Sequence, residues 1–274
     1  MTPAAVGARA AARWGLRLGR PFPTSGRFVA PARRADGTAV VVKAGAAGDP
    51  TLAGEAAALA AWGGRGAVRL LDVAADAEGT ALLLAAAVPG TDLSGFPDAD
   101  ALPLLAAVAR RLHRSGAARP PGAPDSRRRV PLLRAGSPLV PADLTARAAD
   151  LLEHLLGTAA PAVLCHGDLH GANVLRDGDG WVAVDPHGVW GEPALDAGTA
   201  LHNPPRPWAA LPGLAGLVDE RVALLAVGLG VPPDRARAWG FVSAAVGLVW
   251  GARDTGRGDP DLLALARVLA GPVP

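Results

Sequence analysis

The chain has 274 residues, half of them hydrophobic, so it is long enough to bury a sizeable core. Its single cysteine, Cys165, excludes an internal disulfide and fits a reducing cytoplasm. The longest apolar stretch, residues 238–252, is too short to span a membrane, and the basic run at residues 127–129 lacks the interleaved aromatic residues of a nucleic-acid site. We therefore expect a cytoplasmic protein without membrane or nucleic-acid partners.

The composition singles out Lys43, the one lysine beside 26 arginines. The abundance of Ala, Gly, Pro and Arg indicates a GC-rich gene, in which arginine replaces lysine wherever charge alone matters. A retained lysine therefore indicates a position that needs a compact ammonium group. Asparagine is as rare, since only Asn173 and Asn203 occur.

The charge is unevenly distributed along the chain. Residues 1–149 carry 19 basic and 11 acidic side chains, and residues 150–274 carry 8 and 14. This asymmetry suits an anionic ligand beside the first part and a cationic ligand beside the second. A chance scatter of solvated charges is the open alternative.

The first predicted element is an N-terminal helix with a solvated basic face made of Arg9, Arg13, Arg17 and Arg20. Two strands follow, over residues 27–32 and 38–44, with a hairpin turn at Asp36-Gly37. The second strand delivers Lys43 near its end.

A helix is predicted from Pro50 to about Trp62, because Asp49 precedes a proline and Gly63-Gly64 follows. Glu55 shares the apolar face of this helix. A buried carboxylate needs a cation, so we expect Glu55 to pair with Lys43. An exposed Glu55 on a rotated helix is the alternative.

Strands over residues 68–73 and 81–87 complete a small sheet, and Pro89-Gly90 ends it. We therefore predict a first lobe at residues 1–88 and a larger, mainly helical second lobe at residues 89–274. The helices expected there cover residues 102–114, a segment ending at 157, and residues 213–228, 233–251 and 260–269. The fold class is α+β with two lobes.

Between residues 162 and 196 a strand leads into the polar loop His166–Asn173, followed by two short strands joined by a tight turn at residues 177–180. The second of these strands ends at Asp185. The hairpin should bring Asn173 and Asp185 close together. Taken singly, each polar residue here is typical of a turn or a cap.

Asp168, Asn173 and Asp185, preceded by a lysine-bearing strand and a glutamate-bearing helix, together resemble the catalytic set of the protein-kinase-like phosphotransferases. The stretches at residues 62–72, 88–93, 166–175 and 184–196 are similar to the aminoglycoside/hydroxyurea antibiotic-resistance kinase family, which contains streptomycin 6-kinases. The similarity extends over about residues 27–254. It implies a bilobal protein-kinase-like fold with a small antiparallel sheet in the N-terminal lobe.

The resemblance also implies roles. Asp168 would accept the proton of the attacking hydroxyl, and Asn173 and Asp185 would bind Mg²⁺. Lys43 would contact the α- and β-phosphates of ATP, or of GTP, while Glu55 fixes its rotamer.

The adenine edge would meet the backbone at residues 85–87, that is, at Ala85 and Ala87. His166 and His170 are expected to be structural, and Asp196 to anchor the catalytic loop.

Two departures from the kinase pattern narrow the substrate. Gly167 stands where regulated protein kinases carry an arginine, and only six residues separate Asp185 from Glu192, too few for an activation loop. We therefore expect no protein substrate. The phosphate loop, Pro23–Gly26, has a single glycine, so its cover of the phosphates should be loose.

A cationic small-molecule substrate requires carboxylates near Asp168, and the candidates are Glu192, Asp254, Asp259 and Asp261. Among them Asp254 is the expected substrate contact. The leading hypothesis is an ATP- and Mg²⁺-dependent kinase of a streptomycin-type aminoglycoside. Open alternatives are a kinase of hydroxyurea or of an endogenous sugar or amino-alcohol, and a non-catalytic nucleotide-binding module.

Overall fold

The computed structural model describes residues 1–24 and 26–271. Ser25, in the predicted phosphate loop, and residues 272–274, at the end of the predicted second lobe, lie outside this range. A five-stranded antiparallel sheet, in the order β1-β2-β3-β5-β4, forms the first part of the molecule. Its strands are β1 Arg17–Leu18, β2 Phe28–Arg33, β3 Ala39–Ala46, β4 Leu70–Asp76 and β5 Gly79–Ala85.

Two helices pack on this sheet, α1 (Pro3–Arg13) and α2 (Pro50–Trp62). Asp49 caps α2 by accepting a hydrogen bond from the Thr51 N–H, and Gly63 ends the helix in a left-handed conformation with φ 57°. The buried face of α2 is lined by Leu52, Glu55, Ala58, Leu59 and Trp62. The helix and its inward glutamate are therefore confirmed.

The predicted N-terminal helix is present, but the prediction that its basic face extends to Arg17 and Arg20 is wrong. Helix α1 ends at Arg13, because Trp14 closes it and Gly15 turns the chain with φ +64°. Arg17 consequently lies in β1 instead of the helix. Arg9 and Arg13 remain on the helix, and Arg9 lies 2.7 Å from Asp76 and 2.5 Å from Glu78.

The second part is mainly helical, as expected. Its helices are α3 Asp98–His113, α4 Arg129–Ala135, α5 Ala142–Gly157, α6 Leu195–His202, α7 Leu214–Leu229, α8 Pro233–Thr255 and α9 Pro260–Ala270. Helix α8 packs against α5, α6 and α9, and most of its residues are buried. Helix α4 is not among the helices predicted from the sequence.

Two small sheets lie beside these helices. Strand β6 (Pro89–Asp92) pairs with β8 (Val174–Asp177), which pairs with β9 (Gly180–Ala183). Strand β7 (Val163–Cys165) pairs with β10 (Val189–Gly191). Neither β6 nor β10 was predicted, because short strands of this kind depend on partners remote in the sequence.

The two parts share contacts and a core. The Val68 N–H donates to the Ala183 carbonyl at 3.0 Å, and the main apolar cluster includes residues of both parts, from Leu52 to Leu269. The lobe boundary between residues 88 and 89 stays a prediction. Within the described ranges, no helix has both the length and the apolar character needed to cross a bilayer.

Candidate active site

The loop between β7 and β8 carries Asp168, and the side chain of Asp196 holds the start of this loop in place. The buried Asp196 carboxylate accepts hydrogen bonds from the His166 N–H at 3.0 Å and the Gly167 N–H at 2.8 Å. It also lies 2.9 Å from His113 Nε2. Burial opposes ionisation, but the His113 hydrogen bond and charge outweigh it and keep the pKa of Asp196 below its usual value. Asp196 therefore anchors the loop, as predicted.

His166 holds the same loop in place through hydrogen bonds at both nitrogens of its ring. Its Nδ1 accepts from the Asp168 N–H at 3.3 Å, so Nε2 carries the proton and donates to the Val184 carbonyl at 2.8 Å. The ring stacks on Trp62 of α2 at 6.5 Å between centroids. Burial lowers the pKa of His166 and favours this neutral form. The predicted structural role of His166 is confirmed.

The Asp168 carboxylate is held at the surface of the loop. Its side chain is 35% exposed, and Oδ2 lies 3.9 Å from His170 Nε2 and 4.0 Å from His187 Nε2. Both separations exceed a hydrogen bond. The carboxylate is therefore positioned by its backbone and remains open to a hydroxyl group.

Asn173 and Asp185 come together across the β8–β9 hairpin, as predicted. The Val184 N–H donates to the Asn173 carbonyl at 3.0 Å, which places Asp185 next to Asn173. The Asn173 amide nitrogen donates to the Asp168 carbonyl at 3.0 Å, so the amide oxygen is left for a ligand. A carboxylate and an amide oxygen fit Mg²⁺, which prefers hard oxygen ligands.

Asp185 has an unusual backbone conformation. Its φ of 57° is the only positive value at a non-glycine residue within residues 1–24 and 26–271. Such a conformation costs of order 1 kcal/mol or more and persists only where the surroundings enforce it. Here Lys43 Nζ, 2.6 Å from Asp185 Oδ1, binds the carboxylate, whose side chain is 43% exposed to the neighbouring pocket.

Lys43 joins three elements. From β3, its Nζ lies 2.6 Å from Glu55 Oε2 on α2 and 2.6 Å from Asp185 Oδ1. Both Lys43 and Glu55 are buried. Burial raises the pKa of Glu55 to about 7, although the Lys43 charge opposes the rise. The pairing expected from the helix spacing is confirmed.

A second cation in this site, Arg27, was not predicted from the sequence. Its Nε lies 3.1 Å from Asp49 Oδ2, its Nη2 donates to the Thr51 hydroxyl, and its Nη1 lies 3.7 Å from Asp185 Oδ1. Arg27 and Lys43 border a pocket of about 390 Å³ lined by Pro23, Thr24, Arg27, Val29, Lys43 and Asp185. Spacing rules could not reveal Arg27, because all its partners lie on other elements.

The segment predicted to meet the adenine edge follows β5. The Ala85 N–H already donates to the Arg69 carbonyl at 2.9 Å, so this group is not free for a ligand. The Ala87 N–H has no hydrogen-bond partner in the part of the chain that the structure describes. Next along the chain, the Val88 N–H donates to Asp177 at 3.1 Å. Of the two predicted contacts, Ala85 and Ala87, only Ala87 therefore has an open donor.

A second cavity, of about 480 Å³, opens where residues 120–124 face the start of α2, and its lining includes Arg128, His187 and Trp250. His187 connects this cavity to Asp168. Trp250 is 44% exposed. Asp254 lies one helical turn further along α8, on the same face as Trp250, and is exposed. Within the described ranges its carboxylate makes no hydrogen bond or ion pair.

The other predicted acceptor-side carboxylates have structural partners. Glu192 is buried, lies 2.6 Å from Arg235 Nε and accepts from the Trp239 indole, so its assignment to a substrate is wrong. Asp259 caps α9 by accepting from the Leu262 N–H at 2.9 Å. Asp261 accepts from the Ala209 N–H at 2.8 Å.

The charge asymmetry is smaller when counted by the predicted lobes. Residues 1–88 carry ten basic and six acidic side chains, and residues 89–274 carry 17 and 19. Half of the basic excess of the first 149 residues therefore lies in the predicted second lobe, including Arg128 beside the 480 Å³ cavity. The overall charge of that lobe says little about the acceptor.

Comparison with known proteins decides the family. The model of the aminoglycoside/hydroxyurea antibiotic resistance kinase family matches residues 13–255. The chain belongs to this family. It is 35% identical to a hydroxyurea phosphotransferase of Kitasatospora aureofaciens, over 94% of this chain and 76% of that protein. It is 32% identical to a streptomycin 3''-kinase of Klebsiella pneumoniae, over 87% of this chain and 89% of that one.

Solved structures confirm the fold of this family member. The aminoglycoside phosphotransferase APH(3'')-Id from Streptomyces rimosus, in complex with ADP and streptomycin, superposes with a TM-score of 0.59 at 22% sequence identity. The match covers 89% of this chain and 97% of that one. The expected bilobal protein-kinase-like α+β fold is therefore confirmed.

Proposed function

We propose that this family member transfers the γ-phosphoryl group of ATP to a hydroxyl group of a small molecule, with Mg²⁺ as the required metal and a streptomycin-type aminoglycoside as the leading acceptor. The observation that carries the proposal is the meeting of four side chains from separate elements, Lys43, Asp168, Asn173 and Asp185, between two cavities. One cavity is bordered by cations and the other reaches Asp168 through His187.

On the acceptor side, Asp168 receives the proton of the attacking hydroxyl group and holds the hydroxyl oxygen in line with the phosphorus atom. Its loop is already fixed by Asp196 and His166, so little reorganisation is needed when the acceptor binds. Positioning contributes more than basicity in a phosphoryl transfer of this kind.

On the nucleotide side, Asn173 and Asp185 would hold the metal through the amide oxygen and the carboxylate. Mg²⁺ held by these two oxygens would neutralise charge on the phosphates. Lys43 binds the α- and β-phosphates, and Glu55 keeps the ammonium group aimed at the pocket. The Ala87 N–H meets the adenine edge, and Ala85 contributes backbone surface beside it.

We place the acceptor in the 480 Å³ cavity. Trp250 offers a flat apolar face, and Asp254 offers the free carboxylate that a guanidinium or ammonium group of the acceptor needs. We also propose that the enzyme works in the cytoplasm, since its buried Cys165 thiol is unpaired.

Hydroxyurea is the second candidate acceptor. The relative with 35% identity bears that activity in its name, and Asp254 is the one carboxylate left free among the four that the sequence suggested. A small neutral acceptor needs no array of carboxylates. The two acceptors share every group on the nucleotide side and differ in their demand for Asp254.

A transfer assay tests the proposal. Purified protein with Mg²⁺ and ATP labelled at the γ-phosphate is offered streptomycin, other aminoglycosides, hydroxyurea and simple sugars, and the labelled products are separated. We expect label on streptomycin, and its loss when EDTA removes the metal. Label on hydroxyurea alone selects the second candidate. Binding of ATP without transfer to any acceptor contradicts the proposal and supports a non-catalytic nucleotide-binding module.

A further inference from the structure

We propose that Arg27 is a second phosphate-binding cation, which contacts the terminal phosphates of the nucleotide and takes the place of a glycine-rich loop. The inference rests on the proposed nucleotide site but not on the identity of the acceptor. Arg27 comes directly before β2 and lines the 390 Å³ pocket together with Lys43.

The three guanidinium nitrogens of Arg27 have different surroundings. Nε lies 3.1 Å from Asp49 Oδ2, and Nη2 donates to the hydroxyl of Thr51. Asp49 is the N-cap of α2, and Thr51 lies in its first turn. The start of the helix therefore holds two nitrogens of the fork and orients the third, Nη1, toward the pocket.

Nη1 is the nitrogen left for a ligand. Its nearest carboxylate oxygen, Asp185 Oδ1, is 3.7 Å away, which is longer than a hydrogen bond. That same oxygen already accepts from Lys43 Nζ at 2.6 Å. A phosphate oxygen in the pocket could therefore receive hydrogen bonds from Nη1 and Nζ together.

The other pocket-lining side chains cannot supply this contact. Pro23 and Val29 are apolar, and the Thr24 hydroxyl already donates to the Arg27 carbonyl at 2.7 Å. Glycine-rich loops use several backbone N–H groups to cover phosphates. This segment has one glycine, Gly26, so a guanidinium group supplies the positive charge and the donors instead.

The position of Arg27 indicates that it contacts the terminal phosphates of the nucleotide. Its Nη1 faces Asp185, the proposed metal ligand, and a kinase metal bridges the β- and γ-phosphates. Lys43 lies deeper, with a side chain 6% exposed against 26% for Arg27. Arg27 therefore sits at the outer end of the phosphate chain.

Binding measurements without an acceptor test this role. Calorimetric titration gives the affinities of the wild type and of Arg27→Gln for adenosine, AMP, ADP and a non-hydrolysable ATP analogue, all with Mg²⁺. We expect the variant to bind ADP and the ATP analogue about ten-fold to a hundred-fold more weakly, because one charge-assisted contact is lost. The affinities for adenosine and AMP should stay within about two-fold. The control is Arg33→Gln, an exposed arginine at the far end of the same strand.

The outcomes separate the alternatives. If Arg27→Gln loses equal affinity for adenosine and for ADP, Arg27 only supports α2. If the affinity for ADP is unchanged, Arg27 contacts no phosphate. Either result overturns the inference. If Arg27→Gln lowers the melting temperature markedly, Arg27→Lys is titrated instead: its single nitrogen cannot bind Asp49 and Thr51 and also reach a phosphate, so it should still lose more affinity for ADP than for adenosine. A wild type that binds no nucleotide contradicts the proposed function itself.

Discussion

The nucleotide side and the acceptor side of this site are built differently. On the nucleotide side every charged group has a partner, in the chain of contacts Asp49, Arg27, Asp185, Lys43 and Glu55. On the acceptor side His187, Trp250 and Asp254 are substantially exposed, and Asp254 has no partner within the described ranges.

The difference indicates where the chemistry is fixed and where specificity is set. Buried groups held by one another are expensive to change, because removal of one partner leaves the other uncompensated. Exposed groups on helix α8 can change without loss of the fold. We therefore expect changes on the nucleotide side to affect all acceptors equally, and changes on the acceptor side to distinguish between them.

The largest effect is expected for Asp185→Asn. The amide keeps the size of the side chain but loses the negative charge that the metal requires, so transfer should fall about a thousand-fold for every acceptor. The kcat values with streptomycin and hydroxyurea measure this. Asp179→Asn, at the exposed turn of the same hairpin, is the control. A loss confined to one acceptor would break the distinction between the two sides.

A buried ion pair in the helical lobe comes next. Arg221 is fully buried, contacts Asp98 and donates to the Ala200 carbonyl at 2.7 Å. Arg221→Met leaves the half-buried Asp98 with Arg206 as its remaining cationic partner and should lower the free energy of unfolding by about 3 kcal/mol. Urea unfolding measures it, with the exposed Arg257→Gln as reference. A change in the free energy of unfolding below about 1 kcal/mol would show that the pair does not stabilise the helical lobe.

Lys43→Arg should lower kcat about a hundred-fold, although the charge is kept. The pocket between Glu55 and Asp185 holds a compact ammonium group with both contacts at 2.6 Å, and a planar guanidinium cannot reproduce them. Steady-state kinetics at saturating acceptor measure this. Activity close to that of the wild type would mean that charge alone matters there and that the retained lysine has no catalytic reason.

The smallest effect is expected for Asp254→Asn. Exposed ion pairs contribute up to about 1 kcal/mol, so KM for a streptomycin-type acceptor should rise about three- to five-fold, while KM for hydroxyurea stays unchanged. Asp259→Asn, which retains the helix cap, is the matched control. An equal rise in KM for both acceptors would mean that Asp254 does not bind the acceptor.

Local pattern predicted most of the nucleotide side. The proline after Asp49 and the inward position of Glu55 fixed α2 and its pairing with Lys43, and the tight turn after β8 brought Asn173 to Asp185. These inferences use spacings within one helix or one hairpin, where geometry follows directly from the sequence.

The remaining features depend on contacts between distant elements. Glu192 looked like a substrate carboxylate because its partners, Arg235 and Trp239, lie on α8. Arg27 gave no signal because it meets α2 and the end of β9 only in three dimensions. The N-terminal helix was predicted to be too long, because the arginine spacing stays helical up to Arg20 although the chain turns at Gly15.

The most direct test of the proposed chemistry is Asp168→Asn, read by transfer and by nucleotide binding in the same preparation. Asparagine keeps the shape of the side chain but cannot accept the hydroxyl proton, so transfer should fall by about a hundred-fold to a thousand-fold, whichever acceptor is used. The affinity for ADP with Mg²⁺ should stay within about two-fold, because Asp168 lies outside the phosphate pocket. Transfer at the wild-type rate would contradict the assignment of Asp168 as the base.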